Sequence, residues 1–215
     1  MADLSIMCPH VFGHVDDFGV EQPAKYQNSV LLPLCQYWNG ADALPVEKGT
    51  ACVGAGRDGL CFYVCFIDSD IISHATANNQ KMWTLGDVAE FFVKPGSNRP
   101  DYWEIHVTPN NFIMDIHIPD RDLFMREKIT WAEVILSHSD TRRRVQTLED
   151  RWTVEVCIPW KAFGLRNAPD AGTAWSFAVC RYNCNGGLDN PENSSSAHFT
   201  ELSFHRWEEF TELVF

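Results

Sequence analysis

Tyr102-Trp-Glu-Ile-His-Val-Thr-Pro-Asn-Asn-Phe-Ile-Met-Asp-Ile-His-Ile118 alternates apolar and polar residues on both sides of a Pro-Asn-Asn turn. Alternation with a period of two marks half-buried strands, and the turn formers between the two runs make the stretch an antiparallel hairpin. Pairing Thr108 with Ile113 gives a register in which Trp103, Ile105, Val107, Met114, Ile116 and Ile118 share one face and fill a core. The opposite face then carries Glu104, His106, Asp115 and His117, with His106 across from Asp115 and Glu104 across from His117.

Outward from this hairpin, short runs rich in Val, Ile, Phe, Tyr and Trp recur between Gly, Pro, Asn and Asp clusters. Strands are expected near residues 29–36, 50–55, 60–67, 88–93, 131–137, 152–159, 174–183 and 199–204, with no long helical period. Gly56-Arg-Asp-Gly59 predicts a second hairpin. The fold class that follows is all-β: an antiparallel two-sheet β-sandwich, of jelly-roll or immunoglobulin type, occupying residues 1–215 as one domain. The polar stretch 184–197 is expected to be a long loop, and its Asn193-Ser-Ser195 acceptor pattern is too short to signify.

With 45% hydrophobic and 13% aromatic residues, the 215-residue chain can bury one large core. A net charge of -12 disfavours nucleic acid. Arg142-Arg143-Arg144, the one basic run, lies among acids and reads as a solvated loop. No apolar run is long enough to span a bilayer, and residues 1–9 lack a basic segment followed by a long apolar one. Among the eight cysteines, Cys61 and Cys65, like Cys180 and Cys184, are four apart on strands. That places their Cα atoms about 13 Å apart, too far for a mutual bridge. Bridges between strands stay open beside the reading of core thiols.

Three ordered stretches resemble the family 9 carbohydrate-binding modules and the wider DOMON-like sugar-binding sandwiches. They are Gly59–Asp70 (GLCFYVCFIDSD); Trp83-Thr-Leu-Gly-Asp87-Val-Ala-Glu90 with Tyr102–Asn110; and Trp152–Trp160, Trp175–Arg181 and the closing Phe210–Phe215. The resemblance implies a non-catalytic domain that binds a mono- or oligosaccharide beside a glycoside hydrolase or other carbohydrate-active partner. It also implies a structural calcium ion and a secreted or periplasmic setting. Carried over residue by residue, Trp83 stacks on the sugar while Glu90, His106 and Thr108 bond its hydroxyls. The chain departs from the family where a strand Arg and Asn give way to His106 and Thr108. Trp83 also stands one residue further from Glu90, and a second stacking Trp after Arg181 is missing, leaving Tyr182, His198 and Phe199.

The residue pattern supports the same surface independently, because aromatic rings cover apolar sugar faces while polar side chains take hydroxyls. Glu104, Asp115 and His117 extend the candidate site. Asp68 and Asp70 are candidate calcium ligands, sitting like Asp16 and Asp17 at expected loop or strand-end positions, although the spacing matches no EF-hand. Two rival readings remain: a metal- or haem-binding DOMON-like protein using the His and carboxylate cluster, and a structural or partner-docking domain. No nucleophile motif, phosphate loop or histidine-rich zinc signature occurs, so no enzyme is expected.

Overall fold

The computed structural model describes residues 5–41, 43–136 and 140–215. Among these residues twelve strands form two sheets. In the first, the order is β1 (Ser5–Met7), β12 (Thr211–Val214), β10 (Ala174–Asn183), β5 (Val88–Lys94), β6 (Tyr102–Val107) and β7 (Ile113–Ile118), with β11 (Glu192–Ser195) also pairing β10. The second runs β2 (Leu32–Leu34), β3 (Gly49–Ala55), β4 (Gly59–Ile67), β9 (Arg151–Pro159), β8 (Arg142–Thr147). Every pairing between these strands is antiparallel except that of β1 with β12. Among the described residues no helix is long and apolar enough to cross a membrane.

The inner faces meet in a core of Phe62, Phe66, Phe91, Trp103, Ile105, Trp152, Phe177 and their aliphatic neighbours. Both sheets are also covered outside. Phe92, Tyr102, Met114, Ile116 and Ile118 pack under Phe199, Phe204 and Phe210 from the C-terminal segment. On the other side Val11, Val15 and Tyr26 cover Cys52, Cys61, Tyr63 and Cys65. Cys61 and Cys157, direct partners on β4 and β9, form a disulfide; Cys65, Cys180 and Cys184 are free and buried.

Both expected hairpins form, but the one over residues 102–118 closes one residue tighter than the pattern suggests. Thr108 N–H donates to the Phe112 carbonyl (3.1 Å), and Asn111 turns left-handed at φ 67°. A three-residue loop ending in a left-handed residue is a common hairpin closure, and Asn tolerates that conformation. The register therefore pairs His106 with Met114 and Glu104 with Ile116. A slip of one residue turns β7 over. Met114, Ile116 and Ile118 lie in the outer cluster and Ile113 in the sandwich core.

Four other expectations change. Residues 131–134 form a helical turn, α2 (Trp131–Val134), not a strand; Ser137 lies outside the described residues. Glu133 accepts from the Thr130 N–H and hydroxyl (2.8 and 2.7 Å), a capping box that overrides the β-prone neighbours. Residues 199–204 loop because Glu209 takes the Thr200 N–H and hydroxyl. The arginine run is the edge strand β8, where exposed charge discourages edge-to-edge association. The 184–197 segment contains β11.

Candidate functional site

Glu90 on β5 and Glu104 and His106 on β6 project from the outer face of the first sheet. Glu90 pairs with His106 across the ladder, and Glu104 is two residues along on the same face. The imidazole lies between the carboxylates: Nε2 is 2.5 Å from Glu104 Oε1 and Nδ1 is 3.4 Å from Glu90 Oε1. All three side chains are buried. His205, from the C-terminal segment, adds Nδ1 at 3.7 Å from Glu104 Oε2 and is itself anchored by the Tyr102 hydroxyl at 2.7 Å.

Half-buried Trp83 stands over this floor, its ring 5.5 Å from that of His106 at a 66° angle. Trp131, on α2, lies 5.2 Å from Trp83 and is braced by Phe124 at 4.9 Å. Trp83, Trp131, Phe92, Tyr182 and Phe204 wall a cleft of about 250 Å³ whose polar lining is Glu90, Glu104, His106, Ser203 and His205.

The charges here are set by burial and by one another. Burial pushes the Glu90 carboxyl up to about 8; His106 partly offsets this, and Glu104 adds to it. Burial also opposes the ionised form of Glu104, but His205 and His106 outweigh it and hold that carboxyl below its usual value. For His106, burial disfavours the charge, yet the two glutamates prevail and raise its pKa. The floor is thus a clamped imidazolium with one firmly ionised and one readily protonated acid.

A pH dependence follows. A carboxyl whose folded pKa exceeds its unfolded value of 4.5 loses stability as pH rises from 4.5 toward about 8, and the deficit is constant above that. Glu90→Gln is therefore expected to melt near wild type at pH 5 and several degrees above it at pH 8.5. Melting curves across that range check this; a gap that stays flat or shrinks with rising pH would refute the burial cost.

The other sequence candidates lie elsewhere. The Thr108 hydroxyl closes the hairpin, donating to Asn110 Oδ1 at 2.7 Å and accepting from the Phe112 N–H at 3.1 Å. Asp115 and His117 sit on the opposite face of β7 from Met114. Asp115 Oδ2 accepts from Thr141 (3.0 Å), and His117 stacks on Trp103 (4.2 Å) while contacting Asp101 (3.1 Å). Asp68, fully buried, faces Arg181 and Trp152 at 2.9 and 3.1 Å, and Asp70 contributes its N–H to Asp68. Of the substitutes for a second stacking Trp, Tyr182 lines the cleft, His198 stacks on Tyr37 and Phe199 is buried. Trp131 and His205 were missed: Trp131 had a local signal in its capping box, whereas His205 had none.

No protein-family model and no curated protein matches the chain. Solved structures do. A proposed carbohydrate-binding protein from Bacteroides uniformis superposes with a TM-score of 0.69 at 15% identity, over 100% of both chains. A family 9 carbohydrate-binding module from Caldicellulosiruptor kristjanssonii, in complex with cellotriose, gives 0.65 at 15% identity over 98% of this chain and 92% of that one. The glucose complex of a family 9 module from that organism gives 0.64 at 14%, over 98% and 94%. The chain has a fold like that of the family 9 modules.

Proposed function

We propose that this chain is a non-catalytic carbohydrate-binding module whose ligand enters the cleft under Trp83 and Trp131, serving a carbohydrate-active enzyme. The observation that carries this reading is the pairing of aromatic walls with a buried Glu90–His106–Glu104 floor. Rings cover the C–H face of a pyranose, and pre-oriented acceptors and donors take its hydroxyls. The solved family 9 modules that share the fold hold glucose and cellotriose. Both carboxylates turn onto one imidazole instead of flanking an open gap for a glycosidic bond, which favours recognition over hydrolysis.

Isothermal titration with a panel of mono- and oligosaccharides tests this. Binding is expected with wild type, and Trp83→Ala is expected to weaken it at least about tenfold, or ~1.4 kcal/mol, while the half-buried site keeps the fold melting near wild type. Absence of heat with every sugar would overturn the reading.

A second reading rests on one observation: ligand atoms of Glu90, Glu104 and His106 lie within 4.8 Å of one another. Imidazole with carboxylates suits zinc. Elemental analysis of purified protein and a cobalt(II) visible spectrum decide it, since bound metal displaces the proton held between His106 and its carboxylates. Calcium at Asp68 and Asp70 is the less favoured cation site, because Asp68 already faces Arg181.

A further inference from the structure

Resting on the saccharide reading above, we propose that the ligand of this cleft carries a positive charge: an amine-bearing sugar in place of a neutral one. Three observations lead there.

The first is the charge of the lining. Among the described residues around the cleft none is arginine or lysine, while two are glutamates. Basic side chains of the neighbouring segments are engaged elsewhere: Arg121 with Glu208 (2.6 Å) and the Trp207 ring, Lys94 with that same ring, and Arg206 with Glu201 and Glu209. Two carboxylates share one interior imidazole, and the second basic group of the lining, His205, lies toward the rim at 3.7 Å from Glu104.

The second is unused acceptor capacity. Glu90 accepts no hydrogen bond from any described residue, its nearest charged neighbour being His106 at 3.4 Å. Glu104 Oε2 is buried without a hydrogen-bond partner. A buried acceptor left unmatched costs about 1–3 kcal/mol, more for a charged group, and an ammonium supplies three donors. A neutral hydroxyl supplies one donor and no charge.

The third is the nature of the walls. Trp83, Trp131, Phe92, Tyr182 and Phe204 line the cleft around the acids, and aromatic rings attract an ammonium once it is partly desolvated.

The test is calorimetry at pH 7.5 on chelator-treated protein with glucosamine, glucose and N-acetylglucosamine. Glucosamine is expected to bind at least about tenfold tighter than either of the others, because acetylation removes the charge while keeping the ring. In Glu90→Gln the ratio of glucosamine to glucose affinity is expected to fall toward one. Glucose or N-acetylglucosamine binding as tightly as glucosamine overturns this inference and leaves the saccharide reading standing. No binding of any of the three, nor of the wider sugar panel, overturns both. The wild-type ratio decides the matter even if the variant fails to fold.

Discussion

Asp68→Ala is expected to remove about 3–5 kcal/mol of stability, a fall of roughly 10 °C in melting temperature for a chain of this size. Asp68 is fully buried at the end of β4, and its Oδ2 receives Arg181 at 2.9 Å and the Trp152 indole at 3.1 Å. Alanine would strand a guanidinium that is 1% exposed, whose further carboxylate, Glu47, lies 3.8 Å away. The pair itself is not strongly favourable. Burial raises the Asp68 carboxyl despite Arg181, and lowers Arg181 despite its three acids, so desolvation outweighs attraction on both sides. The double replacement Asp68→Leu with Arg181→Met is accordingly expected to cost much less than Asp68→Ala. Denaturant melts of the three proteins measure this; equal losses in single and double variants would show that the charges do not act as a unit.

His106→Leu is expected to be as damaging at pH 7.5, and to damage more than the fold. Its imidazole separates Glu90 from Glu104, and without it two buried carboxylates face each other with only His205 nearby. Breaking a buried charge set by removing one partner costs about 3–5 kcal/mol. The loss is expected to shrink toward pH 5, where the acids take up protons. Adding Glu90→Gln and Glu104→Gln to His106→Leu removes the stranded charges and is expected to recover most of the stability without recovering ligand binding. Melting and calorimetry together check this. A triple variant that stays unstable would place the role of His106 in packing.

The hairpin shows how far the residue pattern reached and where it stopped. Alternation correctly put Trp103, Ile105 and Val107 inward and Glu104 and His106 outward on β6, because each strand carries its own period. It failed for β7, because the facing of a second strand depends on loop length, and Asn111 shortened that loop by one residue. Apolar layers cover both sides of the first sheet, so the hydrophobic pattern alone did not fix the choice. Trp83, Glu90 and His106 meet at one cleft, while Asp115 and His117 were drawn into the candidate set only by the wrong register. Trp131 opens an expected strand over 131–137, although Thr130 and Glu133 carry a helix-start signal. His205 reaches the site through a loop pinned by Thr200 and Glu209, a tertiary arrangement with no local signature. The pairing of Cys61 with Cys157 likewise required knowing that β4 and β9 are neighbours.

The most direct measurement is amide and indole chemical-shift mapping of labelled protein during titration with glucosamine and glucose. Saccharide seated on the outer face of the first sheet should move the indole signals of Trp83 and Trp131 and the amides of Glu90, Glu104 and His106, leaving β3, β4 and β8 still. Shifts confined to those three strands, or none at saturating sugar, would contradict the placement of the binding site.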